Sequence, residues 1–375
     1  MDPNLFGGYP GARMIGEEEI AAVSDVVRAR SPYRFYGMEP KRRAEALEAA
    51  LACFTGRRRT LAVSSGTAAL HVALHAVGVR AGDEVVIPAY GWSANIMAVL
   101  AVGGQPVIAP IDETLGLDPE RLDECFSDKT RAVIGVHMRG YPCDLTGVIA
   151  AAESRGIRVI EDGAQCIGGT ISGAPVGAKG DISIFSFQYN KLITGGEGGA
   201  VMAEDENLIT RARRFHDLGM LREVGAPDPE GDNCIDGFGL NYRLGEMPAA
   251  MTLVQLSKVG EILSNLAAVR ERALDALAEV IAEFGLSERP AAPETAPNNA
   301  FLCLQAADGE TAAAAVERLR ELRLPVHHSG RVDPHHFQTW TAFLERDRAS
   351  YRCVAGAESV TALNRNLFLE LNPAG

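Results

Sequence analysis

Nothing in the 375-residue sequence approaches the roughly 20 consecutive apolar residues that a membrane helix needs, and the opening MDPNLFGGYPGAR has no signal-peptide core. A membrane partner is excluded and a cytoplasmic location is expected. Positive charge is scarce too. Lys and Arg number 36 against 49 Asp and Glu, a net charge of −13, which argues against a nucleic-acid partner. Cysteine is sparse: the seven, an odd number, lie at 53, 125, 143, 166, 234, 303 and 353, and no two have metal-ligand spacing. That excludes a disulfide framework or a cysteine zinc site and fits the reduced thiols of a cytosolic protein. Internal repeats and low-complexity tracts are missing, which excludes a solenoid. The pairs His327-His328 and His335-His336 have no carboxylate at helical spacing, so no metal site is expected.

What is present is a strong alternation of strand and helix. The hydrophobic content of 47% and charged content of 23% are ordinary for a globular chain, and the length allows two domains or one large domain with an appendage. Residues 1–15 are Gly/Pro-rich and read as a segment that runs over the surface or a partner, and Arg57-Arg58-Arg59 as a solvated turn. Helices are expected over 16–28 and 40–53. From Arg59, apolar strands are expected at 60–64, 84–89, 105–110, 131–138, 157–161, 182–187 and 199–203. Helical patterns intervene at 66–77, 92–102, 118–126 and 144–155. Near-continuous apolar strands separated by helices predict an α/β fold with a mostly parallel seven-stranded sheet, covered on both faces. The last two strands are too close for a helical crossover, so one should run antiparallel to its neighbour. Helices follow at about 205–216, 244–257 and 259–284, with a Gly/Pro/Asp-rich loop at 217–240. Strands at 299–305 and 366–371 and a helix at 310–322 complete the chain. The expected division is a large α/β domain over 1–250 and a smaller C-terminal α+β domain over 251–375.

The chain is organised around Asp181–Glu204, DISIFSFQYNKLITGGEGGAVMAE. Lys191 follows an apolar strand and precedes Gly195, Gly196, Gly198 and Gly199, where backbone can crowd around a ligand. It is either a surface lysine at the mouth of a hairpin or a desolvated amine that forms a Schiff base with an aldehyde. In an open α/β sheet, ligands bind beyond the carboxyl ends of strands, and several candidate groups fall there. Ser65, Gly66 and Thr67 open a helix straight after a strand, as an ordinary N-cap or as a phosphate seat. Trp92, one of two tryptophans, either packs or stacks on a planar heterocycle. Asp162, in Glu161-Asp162-Gly163-Ala164-Gln165, caps the next turn or, if buried, needs a partner such as a protonated ring nitrogen. Ser186, in phase with Ile184, serves nearby backbone or a phosphate. Together they supply a phosphate seat, a ring stacker, an acid for a ring nitrogen and a lysine for an aldehyde. Those are the parts of a pyridoxal 5'-phosphate site.

The run VSSGTAALHVALHAVGVRAGDEVVIPAY, the segment EDGAQ, FSFQYNKLITGGEGGAV and GLNYRLGE (239–246) resemble, in order, the DegT/DnrJ/StrS family of sugar aminotransferases. The resemblance runs over roughly Gly16–Leu256 and implies a fold-type I transferase, a homodimer with shared active sites. By the same resemblance Lys191 is the internal aldimine lysine and proton shuttle, Asp162 pairs with the ring nitrogen, and Gln165 bonds the phenolic oxygen. Trp92 takes the stacking position. Ser65, Gly66, Thr67 and Ser186 hold the phosphate, which Asn241 reaches from the neighbouring subunit. The implied reaction moves an amino group from glutamate or glutamine to the ketone of a nucleotide-linked sugar, a keto-sugar acid or an aminocyclitol precursor. Two departures stand out. Gly163-Ala164-Gln165-Cys166 replaces a frequent AAQ with a following histidine, and HMRGYPCDL (137–145) puts Arg139 where an aromatic is frequent. A family dehydratase would carry histidine at the lysine position, so Lys191 argues against one. A non-catalytic protein that binds the cofactor would keep the same groups.

Overall fold

Seven strands form where the apolar runs predict them: β1 (Arg59–Val63), β2 (Glu84–Pro88), β3 (Gln105–Ala109), β4 (Thr130–Val136), β5 (Arg158–Asp162), β6 (Ile182–Ser186) and β7 (Gly199–Ala203). The computed structural model describes residues 2–222, 237–329 and 333–375, so Cys234 and most of the 217–240 loop lie outside the described residues. The sheet order is β1-β7-β6-β5-β4-β2-β3. All neighbours from β6 to β3 are parallel, and β7 runs antiparallel to both β6 and β1. The strand after the short link is thus the inverted one, because 12 intervening residues that hold no helix cannot carry the chain back for a parallel pairing. An eighth strand, Arg352–Cys353, extends the sheet parallel to β3. Two residues give no apolar pattern, which is why the sequence suggests only seven.

Successive residues on each strand enter different cores. Val86, Val107, Val133 and Val159 pack into one, and Val85, Ile87, Ile134 and Ile160 into the other. The first face is closed by helices Arg43–Thr55 and Leu145–Glu153 and by the 26-residue helix Val259–Phe284. That long helix buries Ile262, Leu266, Val269, Ala273, Leu277 and Val280, a stripe at spacings of three or four. Gly66–Ala76, Glu206–His216 and Phe337–Arg346 close the second face. A sheet apolar on both sides is therefore covered on both. The segment expected as a helix at 118–126 is a shorter 3-10 turn, Pro119–Glu124, entered through the Asp118 cap.

A second, antiparallel sheet has the order Ser287–Glu288, Phe301–Gln305, Asn366–Glu370, Val326–His328. Helix Gly309–Glu321 packs on it. Two expectations need correcting. The N-terminal stretch is not a free surface segment: Leu5 and Phe6 are buried, Gly7 N–H donates to Glu370 O, and Gly11 N–H donates to Lys191 O. Arg57 is not solvated either. Its guanidinium is buried and donates to the carbonyls of Gly177 and Gly180, while Arg58 faces solvent. Among the described residues no helix is long and apolar enough to cross a membrane, the six described cysteines are unpaired, and no three side chains form a metal cluster.

Candidate active site

The chain adds β3 outside β2 and then places β4 on the other side of β2. At such a switch the loops after neighbouring strands part, and a crevice opens beyond their carboxyl ends. A cavity of about 460 Å³ lies there, a size typical of small-molecule sites. Ser65, Gly66, Thr67, Trp92, Asp162, Gln165, Ser186 and Lys191 all line it. Asn241 does not. It is exposed, on a segment bridged to Asp217 and tied to the end of β1 by the Ser64 N–H bond to Tyr242 O.

One end of the cavity is an anion seat. Ser65 caps helix Gly66–Ala76, its hydroxyl accepting from Ala68 N–H at 3.0 Å, so its capping role is realised. The N–H groups of Gly66 and Thr67 then have no acceptor among the described residues and face the cavity at a helix start. Gly66 is required here because a Cβ would come within 2.7 Å of Ser186 Cβ. Its absence brings the Ser186 hydroxyl beside the helix N-terminus.

The other end is ionisable. Asp162 ends β5 with 4% of its surface exposed. Burial pushes its pKa up, against the opposing pull of the Ala164 N–H, the Asn95 amide and Lys191. For Lys191, burial pushes the pKa down, Asp162 opposes that, and Arg139 reinforces it. A lysine so placed holds a larger neutral fraction than one in water. Gln165 Oε1 accepts from Arg139 N–H at 3.2 Å, which leaves its amide nitrogen as a donor. Trp92 is 46% exposed, one ring neighbour being His335 at 5.1 Å, so a face remains open for a planar ligand.

The four glycines after Lys191 do something other than crowd a ligand. None lines the cavity. A Cβ on Gly195 would meet Thr252 Oγ1 at 2.3 Å, and one on Gly199 would meet Ser65 O at 2.5 Å. They press the lysine loop onto helix Glu246–Ser257 and onto the anion seat.

Several residues in or beside the cavity escape sequence reasoning. Asn95 is the only polar side chain in helix Ala94–Ala101, and it is buried against Asp162 with its Oδ1 unpartnered. A lone amide in an apolar helix at a strand mouth was the available signal. His137 follows β4; its Nδ1 accepts the Cys143 N–H at 3.0 Å, fixing the proton on Nε2, which points to Glu161 Oε1 at 3.3 Å. Arg139, His335 and Glu370 also line the cavity. The C-terminal histidines have protein partners: His335 Nδ1 meets Asp333 at 2.7 Å, His336 caps helix Phe337–Arg346, and His328 meets Asn364 O.

The residues present fit pyridoxal phosphate. The free N–H pair and Ser186 suit its phosphate, the under-bonded Asp162 suits a protonated ring nitrogen, and Lys191 suits its aldehyde. Comparison with known proteins agrees. The chain is similar to an aminotransferase from Psychrobacter cryohalolentis, with 26% identity, TM-score 0.84, and coverage of 98% of this chain and 94% of that one. It is similar to the aminotransferase TlmJ from Streptoalloteichus hindustanus, with 25% identity, TM-score 0.82, and coverage of 100% and 94%. The same fold, at 20% identity, TM-score 0.82 and coverage of 98% and 96%, occurs in an E. coli GDP-4-keto-6-deoxy-D-mannose-3-dehydratase whose structure holds hydrated pyridoxal phosphate. The model of the DegT/DnrJ/EryC1/StrS aminotransferase family matches residues 13–336, nearly the whole chain. This chain belongs to that family of pyridoxal phosphate-dependent aminotransferases.

Proposed function

We propose that the chain transfers an amino group from glutamate or glutamine to the ketone of a sugar-type substrate. The substrate is a nucleotide-linked keto-sugar, a keto-sugar acid or an aminocyclitol precursor. The observation that carries this is the convergence of Lys191 and Asp162 on one cavity with the Gly66–Thr67–Ser186 anion seat. When bound, pyridoxal phosphate supplies an aldehyde for amines and a ring that accepts the electron pair left when a donor's α-proton departs.

The chain's own residues do the rest. Lys191 Nζ, its proton affinity lowered by burial, would pass the donor's α-proton to the cofactor and, in the second half-reaction, pass it back to the carbon of the former ketone. Asp162, held by the Ala164 N–H, keeps a negative charge opposite the ring nitrogen. The Gln165 amide donates to the ring's oxygen, and Trp92 covers one ring face. Gly66, Thr67 and Ser186 bind the phosphate, with Ser65 shaping the helix start. Asn241, exposed and outside its own chain's cavity, serves the site of a second copy in a homodimer. A large domain over 1–250 and a small one over 251–375, in a cytoplasmic enzyme, belong to the same proposal. Fold likeness alone leaves dehydration open, and Lys191 is what argues for transamination.

The test is direct. Protein loaded with pyridoxal phosphate should lose visible absorbance on adding glutamate or glutamine and regain it on adding one member of a keto-sugar panel. Cofactor binding without any donor response would leave the non-catalytic alternative, and failure to bind the cofactor would contradict both.

A further inference from the structure

Arg139 is a buried cation lining the cavity that the proposed reaction does not use. It sits in the turn Met138–Tyr141, with φ of 58° at Arg139 and 79° at Gly140, the positive pair of a type I′ turn. Only 7% of its surface is exposed, yet it lines the cavity. Its guanidinium carbon lies 5.1 Å from the centre of the Phe301 ring and 5.0 Å from that of Phe368. Nε donates to the hydroxyl of fully buried Tyr90 at 3.4 Å.

Both terminal nitrogens lack a hydrogen-bond acceptor among the described residues, and Arg139 forms no ion pair with any of them. Among the other described buried arginines, Arg289 also lacks an ion pair, but it lies outside the cavity and donates to Met138 O, while two are held by partners. Arg34 meets Glu48 at 2.7 Å, and Arg57 is taken up by two carbonyls. The nearest acids do not replace a counter-ion. Asp333 is bonded to His335, and Glu370 bears on Arg139 only at longer range. A desolvated cation without a partner is costly, so a partner should arrive with a ligand.

We propose that Arg139 is the carboxylate anchor of the cavity, gripping the carboxylate of a substrate through its two free terminal nitrogens. The phosphate has its own seat at Gly66 and Thr67. The contacts of Arg139 with two rings and Tyr90 fix the plane of its fork, which matches the two oxygens of a carboxylate. The carboxylate comes from the donor amino acid or from an acidic acceptor, and the experiment separates them. This inference rests on the aminotransferase reading of the same cavity.

Calorimetric titration of the pyridoxal phosphate-loaded protein with succinate, which cannot react, tests the anchor without requiring turnover. Arg139→Gln should weaken succinate by about 10- to 100-fold, the range for hydrogen bonds to a charged group. Arg139→Lys should weaken it several-fold because charge remains while the fork is lost. In kinetics, Arg139→Gln should raise KM for each carboxylate substrate that uses the anchor, with little change in cofactor affinity or in KM for a carboxylate-free keto-sugar. A rise confined to glutamate identifies the donor; one confined to an acidic keto-sugar identifies the acceptor. Unchanged succinate affinity and unchanged KM values would overturn the proposal. So would an equal loss on the carboxylate-free acceptor and on cofactor affinity, because that marks a structural role. If Arg139→Gln does not load cofactor, the Arg139→Lys comparison decides in the same way. Arg139-dependent succinate binding without any glutamate response would instead sink the aminotransferase reading alone.

Discussion

Glu161 and Asp162 are consecutive carboxylates at the end of one strand, both buried, and they do opposite things. Side chains alternate across a strand, so Glu161 points away from the cavity and Asp162 into it. Glu161 accepts from the N–H groups of Gly177, Lys179 and Gly180 and from the Ser183 hydroxyl, at 2.7 to 3.0 Å, with His137 at 3.3 Å. The carbonyls of Gly177 and Gly180 are in turn held by Arg57. Burial by itself would push the Glu161 pKa up, but the bonds from His137, Gly180 and Gly177 outweigh it and pull the value down to about 2. Asp162 has fewer donors, and burial wins, moving its pKa upward. A saturated carboxylate holds a fold together. An unsaturated one, buried beside a lysine, is waiting for a charged ligand.

The sharpest way to break this contrast is through the lysine that shares the Asp162 face. Lys191→Ala should lower turnover by about 10⁴-fold, the upper range for a lost acid–base group, while the melting temperature hardly moves. Borohydride should fix the cofactor to the wild-type Lys191 peptide, read by its mass, and to no peptide of the variant. Asp162→Asn preserves shape but removes charge. Transamination should fall by about 10³-fold, with an unfolding curve close to wild type. Near-normal turnover would mean that the wrong acid has been assigned.

Glu161→Gln should show the reverse pattern, with nearly wild-type half-reaction rates but a loss of about 3 kcal/mol in chemical denaturation, because buried donors lose their charged acceptor. The pH dependence has a definite sign. The folded pKa of Glu161 lies below its ordinary value of 4.5, so its stabilisation is complete above that value and is lost as pH falls towards about 2. A shift of that size corresponds to about 3 kcal/mol at roughly 1.4 kcal/mol per unit. Denaturation curves between pH 5 and 2 should therefore steepen in wild type relative to Glu161→Gln. The smallest effect expected is that of Asn241→Ala, a loss of about tenfold in cofactor affinity. Mixing it with Lys191→Ala subunits should restore activity at limiting cofactor, and no recovery despite proven subunit exchange would refute a shared site.

The difference between the two carboxylates also marks how far the sequence could be read. The seven strands were legible because apolar runs report buried parallel strands, and strand-end rules together with the family resemblance pointed to a cavity that eight of the nine named residues line. Glu161 and Asp162 looked alike in sequence, since each was simply an acid at a strand end. Their roles separate only when the turn at 177–180 folds back to satisfy one of them. The glycines after Lys191 misled for a related reason: glycine signals a close approach but not what approaches. Arg57 looked solvated because its carbonyl partners lie 120 and 123 residues away. Arg139 stood out only as a departure from a pattern, and its aromatic neighbours Phe301 and Phe368 come from the distant second sheet.

The most direct test of the central claim is a paired measurement on Asp162→Asn and Glu161→Gln, both loaded with pyridoxal phosphate. In each, the single-turnover absorbance change with glutamate or glutamine is followed beside urea unfolding. The predicted result is a double dissociation, with Asp162→Asn slow and stable and Glu161→Gln fast and fragile. Slow chemistry in Glu161→Gln with normal rates in Asp162→Asn would contradict the account.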